Sequence, residues 1–270
     1  MTVGAAEERP ATGTHQLRRL CLGSAVLLAT ALAVPPLSPL ARRYEFVEAF
    51  QFSAYAMAVP ALLVLGVPRA FLGHLRNSNQ ERARQAARVD RSKNSPRGAP
   101  AMVQRALSLG LFISAVVGWR TPMAVDAIVR DRWLLAGEGV SLVLAGGALW
   151  LELVQFPPVV LRSPRPLRAA MAGVAMWTVW TVAYLVGFSN SSWYKAFRHV
   201  AGRWPSVAAD QQFSTAVLWL VATVTFMPVV FWNVLAWLRA EEQQDAPAHR
   251  SAFRPERGPA NASRSAGVDS

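Results

Sequence analysis

Six long apolar stretches alternate with polar connectors along this chain. They cover residues 20–41, 46–67, 102–119, 133–153, 169–188 and 213–238. The first runs 22 residues without a charge, just after Arg18 and Arg19. At about 1.5 Å per helical residue, each stretch can cross a hydrocarbon layer roughly 30 Å thick. Lipid offers no hydrogen bonds to the backbone, so spanning segments must satisfy their own peptide groups, as helices do. The pattern therefore predicts an all-α polytopic membrane bundle of six transmembrane helices over residues 20–238. Residues 1–19 and 239–270 are polar and are expected to be disordered tails. The 68–101 connector is a basic loop, with a turn-rich end at 94–100. Pro228 is expected to kink the sixth helix. A cleaved signal peptide is the rival reading of the first stretch, because Ala31-Leu32-Ala33 has small residues at the right spacing. The 19-residue polar lead and Pro35-Pro36 just past that point argue against it.

Composition agrees with the pattern. Hydrophobic residues make up 53% and charged residues only 16%, where a soluble domain carries about 25% charge. The formal net charge of +12 is carried by 26 Arg and 2 Lys. These flank apolar runs and do not interleave with aromatics on a polar surface, so nucleic acid is not the expected partner. Membrane lipids are, with the 68–101 loop set against anionic headgroups. With the N-terminus inside, the cytoplasmic segments hold 20 basic residues and the outer ones 8. The positive-inside bias places both termini in the cytoplasm.

The chemistry-bearing residues are few. One cysteine, Cys21, excludes an intrachain disulfide and a Cys-based metal site. None of the four histidines lies in an apolar stretch, which disfavours a haem-ligating pair or an intramembrane imidazole site. Met57, Met171, Met176 and Met227 lie in spans and read as packing residues before copper ligands. Trp177, Trp180 and Tyr184 form a helical stripe suited to packing or interfacial anchoring. No Gly-rich phosphate loop, Ser/His/Asp arrangement or CxxC is present, so no catalytic residue is assigned.

One carboxylate, Glu138, sits inside the fourth apolar run. Exposing it to lipid costs about 2.5–3.5 kcal/mol on the mildest scale, so it must face other helices and a polar partner. Arg120 is the nearest candidate in sequence. Three polar stretches fall at the expected outer face. One is Glu48, Gln51 and Phe52, leading into Pro60–Gly66. The second is Trp119-Arg120-Thr121-Pro122, followed by Asp126 and Glu138. The third is Trp193-Tyr194, with Asp210-Gln211-Gln212 before the last span.

In this order and spacing they resemble the CtaG-type family of cytochrome c oxidase assembly factors. Gln51 and the Pro60–Gly66 run match the family's H-x-x-Q-H element and the Pro–Leu–Leu run after it. Trp119, Pro122 and Asp126 match W-H-x-P and its following Asp, and Glu138 matches H-x-x-E-H. Tyr194 and Asp210-Gln211-Gln212 match the outer-loop Tyr and the D-Q-Q element. The resemblance implies a multi-helix bacterial plasma-membrane protein that acts in oxidase maturation, with oxidase subunits or other assembly factors as partners. It also implies a metal, copper first, held by the family's histidines. Here Glu48, Phe52, Arg120, Leu135 and Gly139 stand at those five positions. Phe, Leu and Gly offer no ligand and Arg repels a cation, so copper is disfavoured and no cofactor is expected. The expectation is an ion-pair cluster, Arg120 bridging Glu48 and Glu138, with Arg130 or Arg132 able to assist. The competing arrangement has Arg120 facing water and Glu138 held by backbone or Ser/Thr groups. A small-solute or proton-coupled transporter using Glu138, or a structural subunit of another membrane complex, are the alternative functions.

Overall fold

A computed structural model describes residues 12–67, 99–154, 164–189, 193–198 and 205–252. Among them every regular element is helical. The elements are α1 (Thr12–Ala33), α2 (Leu37–Ala41), α3 (Glu45–Ser53), a π-helical turn (Ala54–Ala58), α4 (Val59–Gly66), α5 (Ala99–Trp119), α6 (Pro122–Arg130), α7 (Arg132–Leu153), α8 (Arg165–Gly187), a 3-10 turn (Lys195–Phe197) and α9 (Val207–Ala252). Among the described residues, six helical stretches are long and apolar enough to cross a membrane: Gln16–Ala33, Glu45–Gly66, Met102–Trp119, Trp133–Leu153, Arg165–Gly187 and Val207–Gln243. The chain is an all-α, multi-pass membrane bundle.

Two expected boundaries move. The first helix begins at Thr12 and ends at Ala33, with α2 after a turn, so one segment does not fill 20–41. The last helix continues to Ala252, through the start of the stretch expected to be a disordered tail. Arg239 onward carries helix formers such as Ala, Glu and Gln, and continuing a formed helix costs far less than nucleating one. The same helix runs unbroken through Pro228. The 68–98 part of the basic loop, residues 1–11 and residues 253–270 lie outside the described residues.

The second span, Glu45–Gly66, is the axis of the bundle: 67% of it is buried, against 11% for the first span and 22% for the last. It packs against α1, α7 and α9. Lipid is as apolar as the helices, so such packing rests on close van der Waals contact and small residues. Ala49, Ala56, Ala172, Ala175, Ala183 and Ala222 line the core, with Phe112, Trp150 and Phe226 filling the space between helices. Pro60 has no N–H to give, and the helix absorbs this with the π turn just before it, where Val59 N–H reaches back to Ala54. The displaced turn leans on α7 at Gly146. A Cβ there would lie 2.7 Å from Pro60 Cγ and would also press on the Ala56 carbonyl. Gly66 lets α4 meet the backbone of α1 at Leu22 in the same way.

One end of the bundle is capped. α6 opens with Pro122 at its first turn and turns Val125 and Ile128 inward, fully buried. Val125 packs with Val186, Tyr194 and Phe197 into a small second core above the helix ends.

Candidate functional site

Beneath this cap lies a concentration of buried polar side chains. Glu45, Glu48 and Gln51 come from α3, Arg120 from the end of α5, Glu138 from α7, and Asp210, Gln211 and Ser214 from α9; each is at most 5% exposed. The polar residues of α3 recur at three-residue steps, which keeps them on one helical face. Asp210 and Ser214, four apart, do the same on α9.

Arg120 is the centre. Its Nη1 donates to Glu48 Oε2 in a fully buried ion pair, and its Nη2 lies 3.5 Å from Ser214 Oγ. The guanidinium sits over two rings, 4.9 Å from the Phe52 centroid and 5.5 Å from the Tyr194 centroid. Planar, weakly hydrated guanidinium suits such a slot better than ammonium would. The Tyr194 hydroxyl donates to the Arg120 carbonyl at 3.2 Å, tying the cap to the end of α5. Burial raises the Tyr194 phenol above its ordinary pKa, while the Arg120 charge pulls the other way.

Arg120 does not bridge Glu48 and Glu138. Its Nη1 and Nη2 go to Glu48 and Ser214, and its Nε has no hydrogen-bond partner. Glu138 is buried on the neighbouring α7, near enough to feel the charges of Glu48 and Arg120, but its Oε1 has no hydrogen-bond partner. The reading with Arg120 in outer water fails too, since the residue is 3% exposed. Arg130, expected as a possible helper, is exposed.

The remaining expected residues hold the frame around the pair. Asp210 accepts from the Glu45 and Phe46 N–H groups at 2.8 and 3.0 Å, so α9 caps the N-terminus of α3. A carboxylate there satisfies orphan donors and favours the helix dipole. Gln211 donates to the Val186 carbonyl at 2.5 Å, at the end of α8, and accepts from Trp193 N–H at 3.4 Å. Asp126 accepts from Ala196 N–H at 2.9 Å, and Gln51 donates to the Leu32 carbonyl at 2.9 Å. The Trp119 indole donates to Ser141 Oγ at 2.8 Å. Pro122 is exposed and only starts α6.

Sequence reasoning missed Ser214, Ser141 and Glu45. The spacing signals were present: Ser214 four residues after Asp210, Ser141 three after Glu138, and Glu45 three before Glu48. Side chains at these steps share a helix face with a residue already singled out.

The residues at the five expected imidazole positions do not fit a copper ion. Glu48 is engaged by Arg120, Phe52 lies under the guanidinium, and Leu135 has no donor. Gly139 is covered by Tyr55, whose Cε2 would stand 3.3 Å from a Cβ at that position. Among the described residues, no group of three or more His, Cys, Asp or Glu side chains is placed to hold a metal.

No curated protein and no solved structure matches the chain. A family model described as cytochrome c oxidase caa3 assembly factor does, over residues 1–240. That range takes in all six spans but the last turns of the final helix, along with every residue of the buried cluster, and so this chain belongs to the caa3-type cytochrome c oxidase assembly factor family.

Proposed function

We propose that this chain serves oxidase maturation as a non-catalytic scaffold in the bacterial plasma membrane, acting through protein contacts, with the metal site of its relatives replaced by the Arg120–Glu48 pair. The supporting observation is the guanidinium itself: a buried cation, within 5.5 Å of two ring centroids, stands where an imidazole is expected. A fixed positive charge in a site of low dielectric repels a metal cation strongly. The polar end then acts as a rigid plug that orients the cap, and the cap together with the lipid-facing sides of the outer helices offers the contact surface. The positive-inside count supports a topology with this end outside the cytoplasm and both termini within it.

The test has two arms. Affinity purification from host membranes should enrich oxidase subunits or other assembly factors, and deletion should lower assembled oxidase. Neither effect appearing would overturn the maturation role. Copper titration of the purified protein should show no tight stoichiometric uptake; one equivalent bound tightly would overturn the metal-free reading. The buried, unpartnered Oε1 of Glu138 favours a second reading, proton-coupled transport. That reading requires proton flux in liposomes that Glu138→Gln abolishes.

A further inference from the structure

A cavity of about 420 Å³ opens beside the capped end, between the start of α3 and the first half of the membrane-spanning part of α9. Tyr44, Phe46, Pro205, Phe213, Ala216, Val217 and Leu220 line it, and none of these side chains carries a charge. An aromatic ladder forms one wall: Tyr44 and Phe46 rings lie 5.9 Å apart, and Phe46 meets Phe213 edge-on at 6.2 Å. Pro205, just before α9, lies at one end of the lining, and Phe213, Ala216, Val217 and Leu220 line it over about two turns of α9. At about 1.5 Å per residue the helical part of this lining is roughly 10 Å long, along the direction in which lipid chains run.

The mouth is basic. The exposed Arg43 guanidinium lies 5.7 Å from the centroid of the Tyr44 ring that lines the slot. Beside it Arg42 is half-buried, with its Nε free of hydrogen bonds. Two guanidinium groups at the head of a transmembrane segment, with an uncharged slot leading inward, match a phosphate joined to an acyl chain.

We infer that this slot seats one anionic phospholipid of the leaflet at the capped end, its phosphate on Arg42 and Arg43 and one acyl chain against Phe46, Phe213, Val217 and Leu220. The back of the slot is the clamp described above: Phe46 N–H is held by Asp210, three residues before Phe213. A seated chain thus braces the α3–α9 contact that positions Glu48.

The test uses the full chain in vesicles of phosphatidylcholine doped with phosphatidylglycerol carrying a diazirine in its acyl chain. Photolysis followed by tandem mass spectrometry should place crosslinks on residues 205–220 and 44–46 several-fold above the other lipid-facing helices. A phosphatidylcholine probe should label this region less, and Arg42→Gln with Arg43→Gln should remove the difference between the two probes. Val217→Trp, which fills the slot, should lower labelling there for both. Even labelling around the bundle, or equal labelling by the two headgroups in the wild-type protein, would overturn the site. Labelling that vanishes only when oxidase subunits co-purify would assign the slot to a partner helix and overturn the lipid.

Discussion

Changing Arg120 to Leu probes the buried pair directly. The substitution removes the cation and leaves Glu48, 2% exposed, with its carboxylate inside the bundle. Breaking a buried pair by deleting one member costs about 3–5 kcal/mol, because the survivor keeps its desolvation penalty without its partner. The lost stacking on Phe52 and Tyr194 adds on the order of 1 kcal/mol. The Tyr194 hydroxyl binds the backbone carbonyl of residue 120, so that contact remains. Stabilities of 5–15 kcal/mol are usual, so the loss is a large share of the total. The assay is thermal unfolding of purified protein in detergent, read beside folded yield from membranes. The single variant should show a large fall in both. The companion, Arg120→Leu with Glu48→Leu, exchanges the pair for apolar groups, which is often neutral, so it should regain most of the loss. A single variant with unchanged yield and thermal midpoint would refute the reasoning. So would a double variant no better than the single one, since the damage would then come from lost shape and not from a stranded charge.

Asp210→Ala should cost about 0.5–2 kcal/mol through loss of the cap on α3, and Asp210→Asn, which keeps one acceptor oxygen, should cost less; thermal unfolding ranks the two. Gly146→Val should abolish folded yield by driving α7 off the π turn, whereas Gly147→Val, whose Cβ meets nothing within 4 Å, should fold. Tyr194→Phe should cost about 0.5–1.5 kcal/mol for the hydrogen bond to Arg120. The folded protein holds the Tyr194 phenol above its unfolded pKa of about 10, so its contribution is complete below that value and is lost as pH climbs beyond it. Wild-type stability should therefore fall more steeply than that of Tyr194→Phe in an alkaline series of thermal scans.

The spans were legible in the sequence because the lipid constraint is strong: a charge-free run of about twenty residues has few other uses. The helix ends were less so. Continuing a helix past the membrane costs little, and α9 continues past Leu238 on ordinary helix formers. The membership of the polar cluster was partly legible, because a carboxylate in an apolar run must find company. Its pairing was legible by half: the expected Arg120–Glu48 contact is present, and the one to Glu138 is not. Sequence order made Arg120 the neighbour of Glu138, but the guanidinium direction is set by two rings, Phe52 from α3 and Tyr194 from the cap. Neither lies near residue 120 in sequence.

The same geometry explains how the interior of the bundle holds a guanidinium. A lone cation at position 120 would be intolerable in the interior. It is tolerable here because three supports coincide: the acid at 48, the ring at 52 and the Tyr194 ring from the cap. Each support alone recovers only part of the desolvation cost. Position 139 follows the same logic. With glycine there, the Tyr55 ring closes over α7 and its hydroxyl reaches the Ala29 carbonyl at 3.2 Å, joining α1 to the core. A side chain introduced at 139 would press on that ring, whose Cε2 stands 3.3 Å from a Cβ there, and a neutral side chain at 120 would strand Glu48. Positions 48, 52 and 120 are therefore coupled through one guanidinium, and a change at any of them alters what the other two face.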